Sequence, residues 1–272
     1  MADWVRSNGE SRIPDPESRI ATMLSPTLIL VVPCFNEEAR LDGRAFLDFT
    51  ASLPTVRLLF VDDGSRDRTP EILDGLQAGA SEAVDVIHLP ANQGKAAAVR
   101  EGVLAGLRRA PDLVGFWDAD LSTPLSAVDD FLTFAAKRPE VDVMLGSRVA
   151  LMGRDIRREA WRHYIGRVFA TGVSLSLGLP VYDTQCGAKV LRANEALAAV
   201  FERPFHSPWI FDVEMIARYA ALPAGPGEPA RRDRIYELAV PQWHHVAGSK
   251  LRWTDFVRAV YELVYIHRTY RR

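Results

Sequence analysis

The chain has 272 residues, 48% of them hydrophobic and 25% charged, with a formal net charge of −2. That length can bury a sizeable core as one large domain or two small ones, and the composition excludes a disordered chain. The near-neutral charge argues against a globally basic nucleic-acid binder, and the two cysteines, Cys34 and Cys186, argue against a disulfide scaffold.

Residues 1–25 are polar, carry Pro14 and Pro16, and read as a flexible leader. Their charges, from Asp3 to Asp15, leave no apolar stretch of the signal-peptide kind, and no uncharged apolar run approaches the roughly 20 residues that span a bilayer. Thr27 to Val32 is a short, wholly apolar run, as expected of a strand buried on both faces. A helix is expected over Glu37 to Ala51, then a second buried strand over Val56 to Val61 that ends at Asp62-Asp63-Gly64-Ser65. Thr69 to Leu76 reads as helix, Ala83 to Leu89 as strand, and Gln93 to Arg109 as a long alanine-rich helix. Leu113 to Trp117 is a fourth strand that stops at Asp118-Ala119-Asp120; Pro124 opens the next helix, and Val141 to Leu145 is a fifth strand.

The second half is less regular. Helices are expected over Arg157 to Leu177, Ile210 to Leu222 and Trp253 to Tyr270. Asp183 to Arg192 is polar and then extended, Pro223 to Glu228 is a loop, and Ile235 to Pro241 is a strand. Alternating strands and helices imply an α/β fold with a parallel sheet covered on both faces, and such sheets bind ligands at the carboxyl ends of their strands. The polar clusters Pro33 to Glu37, Asp62 to Ser65 and Asp118 to Asp120 all fall at those ends.

Asp118-Ala119-Asp120 can share a hard divalent cation, because Mg²⁺ and Mn²⁺ prefer oxygen ligands and Mg²⁺ usually completes its shell with substrate phosphates. The same triplet also serves as an ordinary solvated strand end. Asp62-Asp63-Gly64-Ser65 suits a structural turn, or a carboxylate that accepts hydrogen bonds from a nucleobase or ribose. No GxGxxG, GxxxxGK[ST] or GxSxG pattern is present, which disfavours a nicotinamide or flavin Rossmann fold, a P-loop and a hydrolase elbow. His244 and His245 are adjacent on an extended stretch, so they point to opposite faces and do not share a metal.

Four motifs together, Val32 to Glu38, Val61 to Asp67, Asn92-Gln93-Gly94-Lys95 and Asp118 to Asp120, resemble the family 2 glycosyltransferases of GT-A fold in order and spacing. Gly146-Ser147-Arg148, Asp183 to Lys189, Phe211 to Glu214 and Gly248 to Leu251 narrow the likeness to the polyprenyl-phosphate sugar transferases. Among these the chain is most similar to the dolichyl-phosphate β-glucosyltransferases, with the mannosyltransferases next. The resemblance implies a mostly parallel Rossmann-like sheet flanked by helices, a C-terminal amphipathic helix and one domain over residues 26–272. Residues 26–150 would then form the nucleotide-sugar half and residues 151–272 the acceptor half.

It also implies site residues. Pro33, Phe35, Asn36, Glu37, one of Asp62 and Asp63, and Lys95 would bind the nucleotide. Asp118, Ala119 and Asp120 would hold the sugar nucleotide, with Asp118 and Asp120 on Mg²⁺ or Mn²⁺. Arg148 would contact the donor and Lys250 the diphosphate from a C-terminal loop. Arg167, Arg162, Gln185 and Trp209 would face the acceptor. Asp212 and Glu214 form a further carboxylate pair, of which one would act as base for a hydroxyl acceptor or orient donor hydroxyls; N-capping of the helix by Asp212 is the structural alternative. Ser122 stands where mannosyl relatives often have Gln, and His244 where some relatives place a cation.

The expected reaction is inverting transfer of a hexose, glucose from UDP-glucose before mannose from GDP-mannose, to a polyprenyl or dolichyl phosphate. Six arginines between Arg148 and Arg167, against Asp155 and Glu159, would dock such a lipid phosphate. The stretch from Lys250 carries six basic residues against Asp255 and Glu262, interspersed with apolar ones, as a peripheral membrane helix does. The expected location is cytoplasmic, with contact at the inner membrane face. The rival readings are a same-fold enzyme with a hydroxyl acceptor and a non-catalytic nucleotide-sugar or lipid-binding module. The sequence sets no oligomeric state.

Overall fold

The computed structural model describes residues 26–157, 160–244 and 253–270, with the side chains of 157, 160–165 and 253–257 outside that description. The first half alternates strand and helix: β1 Leu28–Cys34, α1 Gly43–Ser52, β2 Val56–Asp62, α2 Thr69–Gly79, β3 Val84–His88, α3 Lys95–Leu107, β4 Leu113–Phe116, α4 Ala127–Lys137 and β5 Val143–Ser147. The second half runs β6 Asp155–Arg157, α5 Ala160–Leu177, β7 Lys189–Arg192, α6 Glu195–Phe201, α7 Phe211–Ala221, β8 Ile235–Ala239, β9 Gln242–His244 and α8 Trp253–Tyr270.

Seven strands form one sheet in the order β3-β2-β1-β4-β7-β5-β8. All run the same way except β7, which pairs antiparallel with both β4 and β5. Side chains alternate across the pleat. Leu28, Leu30, Val32, Leu58 and Phe60 therefore face one layer, with Phe46 of α1, Leu73 of α2 and Phe131 of α4. Ile29, Val31, Leu59 and Val61 face the other, with Val99 and Val103 of α3, Phe201 of α6 and Phe211 of α7. Each such side chain contributes about 1.5–3 kcal/mol when it leaves water. This explains why the strands read as continuous apolar runs rather than alternating ones. A smaller cluster, Val173, Ile210, Val213, Ala217, Ala259 and Ile266, joins α5, α7 and α8.

Several boundaries differ from the sequence expectation. The first helix starts at Gly43, not Glu37, because Asn36 takes a positive φ of 54° and Asp42 caps the helix by accepting from the Ala45 N–H at 3.0 Å. The helix after Pro124 begins at Ala127, following a tight turn in which the Ala127 N–H donates to the Pro124 carbonyl. Arg157 belongs to a short strand, β6, that pairs parallel with β9, so the expected helix begins only at Ala160. The short helix α6, capped by Asn194, had no expectation. Both cysteines are buried and free, and burial pushes both thiols up, so neither serves as a nucleophile. Among the described residues no helix is long and apolar enough to cross a membrane.

Candidate active site

The order β2-β1-β4 places the carboxyl ends of β1, β2 and β4 around one crevice, at the point where chain connections diverge to either side. The loop after β1 is fixed to the loop after β2 by reciprocal contacts. The Asn36 N–H donates to Ser65 Oγ at 2.9 Å, the Arg66 N–H to Asn36 Oδ1 at 2.9 Å, and the Glu37 N–H to Thr69 Oγ1 at 2.8 Å. Phe35 is 40% exposed on this loop. Glu37 points inward; its Oε1 accepts from Arg40 at 2.6 Å, and its Oε2 is buried without a hydrogen-bond partner. Burial raises the Glu37 pKa, Arg40 opposes this, and the nearby Asp120 and Asp118 carboxylates add to the rise.

The two β2 carboxylates divide their work. Asp63 accepts from the Gln93 and Gly94 N–H groups, each at 2.8 Å, and from Asn92 Nδ2 at 2.8 Å. It thereby fixes the turn before α3, where Gly94 adopts a φ of 93° that a side-chain-bearing residue rarely takes. Asp62 accepts from the Ser65 N–H at 3.0 Å and from His88, whose other nitrogen meets Asp74 at 2.9 Å. Asp62, Gly64, Ser65 and His88 line an open cavity of about 460 Å³ together with the Leu89–Asn92 stretch.

The Asp63-fixed turn delivers Lys95 to the β4 end, where its ammonium bonds Asp118. Enclosure by protein pulls the Lys95 pKa down, but Asp118, Asp212 and Asp120 outweigh this and raise it. The same enclosure pushes Asp118 up, yet Lys95, Lys189 and Arg148 prevail and hold it below the usual carboxylate range. Ala119 is buried, and Asp120 accepts from the Ser122 N–H and hydroxyl at 3.0 and 2.8 Å. Ser122 thus orients the Asp120 carboxylate. Among the described residues no three His, Cys, Asp or Glu side chains form a complete metal set.

Arg148 leaves the end of β5 and makes a bidentate pair with Asp183, at 2.6 and 2.8 Å, while its own N–H donates to the same carboxylate at 3.0 Å. The Tyr182 and Asp183 N–H groups both donate to Glu237 at 2.7 Å. Arg167 stacks on the Tyr182 ring, 3.6 Å from its centroid, and donates to the Tyr182 carbonyl. Beside this knot Ser147 Oγ, Thr184 Oγ1 and Gln185 Nε2 are buried without hydrogen-bond partners. Trp209 is half-exposed.

Asp212 does not cap α7; Ile210 holds that position, and Asp212 turns inward to meet Lys189 at 2.6 Å. Glu214 points elsewhere, to the Ser207 N–H, Arg218 and Tyr270. His244 meets Asp155 at 2.8 Å across the β6–β9 pair. The side chain of Arg162 and the whole of Lys250 lie outside the described residues. Sequence reasoning gave no role to Lys189, Gly187, His88 or Glu237. Lys189 and Gly187 stood inside a quoted motif, whereas His88 and Glu237 carried no local signal.

The sequence profile of Glycosyl transferase family 2 matches residues 29–196. The chain belongs to family 2 of the glycosyltransferases. This glycosyltransferase is 34% identical to the dolichyl-phosphate β-glucosyltransferase of Mus musculus over 84% of its own length and 71% of the mouse chain. The corresponding Drosophila melanogaster protein is 34% identical over 84% and 70%. Among solved structures, the glucosyl-3-phosphoglycerate synthase of Mycobacterium tuberculosis with Mn²⁺ and UDP-glucose superposes with a TM-score of 0.64. It is 17% identical, with 91% of this chain and 81% of that one covered, and the likeness is one of fold.

Proposed function

We propose that this glycosyltransferase moves glucose from UDP-glucose to a polyprenyl or dolichyl phosphate with inversion at the anomeric carbon. The observation that carries the choice of acceptor is the Lys189–Asp212 pair. A hydroxyl acceptor needs a base, and the buried carboxylate available for that work already has an ammonium on Oδ1. A phosphate acceptor arrives ionised and needs cations instead. Arg167 and the unpartnered Ser147, Thr184 and Gln185 atoms supply cationic and polar groups next to the Arg148–Asp183 pair. The names of the mouse and fly relatives support glucosyl transfer to dolichyl phosphate.

On this reading, the crevice between the Asn36 loop and Asp62 takes the nucleoside, and Lys95 turns from Asp118 toward the diphosphate. The donor set fits Mg²⁺ or Mn²⁺ in part: Asp118 and Asp120 supply hard oxygens at the end of β4, both close enough to Lys95 to raise its pKa, and substrate phosphate oxygens would complete the shell. A bound divalent cation supplies charge neutralisation that stabilises the departing diphosphate. The Mn²⁺ complex of the mycobacterial neighbour supports this assignment. Arg148, set by Asp183, faces the donor; Arg162 and Arg167 receive the acceptor phosphate, Trp209 its vicinity, and Lys250 the diphosphate.

Access to a lipid comes from one side. Val260, Tyr261 and Val264 project from α8, and Val168 and Leu175 from α5, onto which α8 packs. With Arg258 and Arg268 of α8, these exposed side chains suit an anionic membrane surface.

The test offers purified protein UDP-glucose, GDP-mannose or UDP-N-acetylglucosamine with Mn²⁺ and a short polyprenyl phosphate, and follows nucleoside diphosphate release. The expected outcome is lipid-dependent release from UDP-glucose that Asp120→Ala abolishes. Donor binding without lipid-dependent turnover removes the phosphate acceptor from consideration.

A further inference from the structure

We propose that Lys189 is a positioning residue for glycosyl transfer, holding the Asp212 carboxylate toward the sugar at the β4 edge. The inference rests on the glycosyl-transfer reading above. Lys189 is the first residue of β7, in register with Phe116 of β4 and Leu145 of β5. It therefore lies directly beneath both strand ends that carry the site, Asp118 to Asp120 and Ser147 to Arg148. Its side chain is wholly buried. A lysine is almost never so placed without a partner, because a buried charge must be matched.

The match is complete. Nζ lies 2.6 Å from Asp212 Oδ1, donates to the Cys186 carbonyl, and sits 5.2 Å from the Phe116 ring centroid. Asp212 is only 6% exposed. The charged groups around the pair are Lys95 from α3, Asp118 and Asp120 from the β4 end, and Arg148 and Asp183 beyond β5.

The backbone here has no slack. A Cβ on Gly187 would stand 1.8 Å from Asp118 Oδ2; one on Gly115 would stand 2.6 Å from the Lys189 carbonyl oxygen, and one on Gly146 2.8 Å from that of Ala188. The segment carrying the ammonium is wedged against the Asp118 carboxylate on one side and both neighbouring strands on the other. One buried ion pair thereby sets the start of α7 relative to the β4 edge. A well-packed apolar pair is often as stabilising as a buried ion pair, so stability alone does not call for this one.

The test uses the whole chain with Mn²⁺ and compares wild type, Lys189→Met, Lys189→Arg, Asp212→Asn and the double variant Lys189→Met/Asp212→Asn. Each is assayed for UDP release with polyprenyl phosphate and for slow, lipid-free hydrolysis of UDP-glucose. In Lys189→Met, kcat is expected to fall at least ~10-fold in both assays, with the KM for UDP-glucose within ~3-fold of wild type. Lys189→Arg recovers part of the loss, and the double variant is no slower than Asp212→Asn alone. Thermal unfolding checks that each variant is folded; the double variant strands no charge and keeps the comparison informative if Lys189→Met unfolds. An unchanged kcat in folded Lys189→Met, or losses that multiply in the double variant, overturns the proposal. A double variant slower than Asp212→Asn does so as well. Wild-type hydrolysis that Lys189→Met slows, without any lipid-dependent transfer, removes the lipid-phosphate acceptor and leaves the positioning role in place. A wild type inactive in both assays overturns both.

Discussion

Gly187 has no side chain because the Asp118 carboxylate occupies the place where one would be. Gly187→Ala must push that carboxylate aside, and overpacking of this kind costs about 1–3 kcal/mol. Calorimetry with UDP and Mn²⁺ is expected to show affinity at least ~10-fold weaker, with a smaller change for Gly166→Ala, where the added Cβ meets nothing. His88 gives a pH-dependent prediction. Burial lowers its pKa, but Asp74 and Asp62 outweigh this and raise it above the ordinary value. The folded state then binds the proton more tightly than the unfolded one. The clamp's contribution is full below about pH 6.5 and disappears as pH rises through the raised value. Wild type is therefore expected to lose thermal stability from pH 6 towards pH 8 more steeply than His88→Gln, which melting curves at several pH values would check.

Helix α8 acts on the site through α7. Glu262 is buried and accepts from the Ile210 N–H at 3.1 Å, at the N-cap of α7, two residues before Asp212. Glu262→Ala orphans that N–H, which costs about 1–3 kcal/mol. A melting temperature lower by several degrees is expected, together with a reduced kcat, whereas Arg258→Ala removes only the exposed partner of Glu262 and is expected to do much less. At the C-terminal end of α8, Tyr270 donates to Glu214 in the first turn of α7, so α8 is tied to the start of α7 twice. The apolar alternation of α8 was legible in the sequence; which of its residues face inward was not. Leu263 and Ile266 pack on α7 or α5, while Val260 and Val264 project outward.

For the molecule as a whole, the donor crevice and the exposed α5–α8 face belong to one acceptor route in the proposed function. Val264→Asp is expected to weaken binding to anionic vesicles severalfold while leaving turnover of a short, soluble polyprenyl phosphate unchanged. Binding by wild type is expected to fall as salt rises, because the basic share of the attraction is screened within about 8–10 Å. A sedimentation assay that finds equal vesicle binding by both proteins removes α8 from the membrane contact.

Much of this protein was determined along the chain. Continuous β-branched runs specified strands buried on both faces, because such runs have no polar side to leave in water. The ends of those runs located the Pro33, Asp62 and Asp118 clusters, and the motif order disclosed the family. Period and spacing act locally, so they carried that far. The division of labour between Asp62 and Asp63, the pairing of Arg148 with Asp183 across 35 residues, and the meeting of Lys189 with Asp212 were decided only in three dimensions. Reversal of β7 is the physical reason for the last. A strand that enters antiparallel between β4 and β5 brings its first side chain to the edge where its neighbours end, and no sequence period encodes which edge that is.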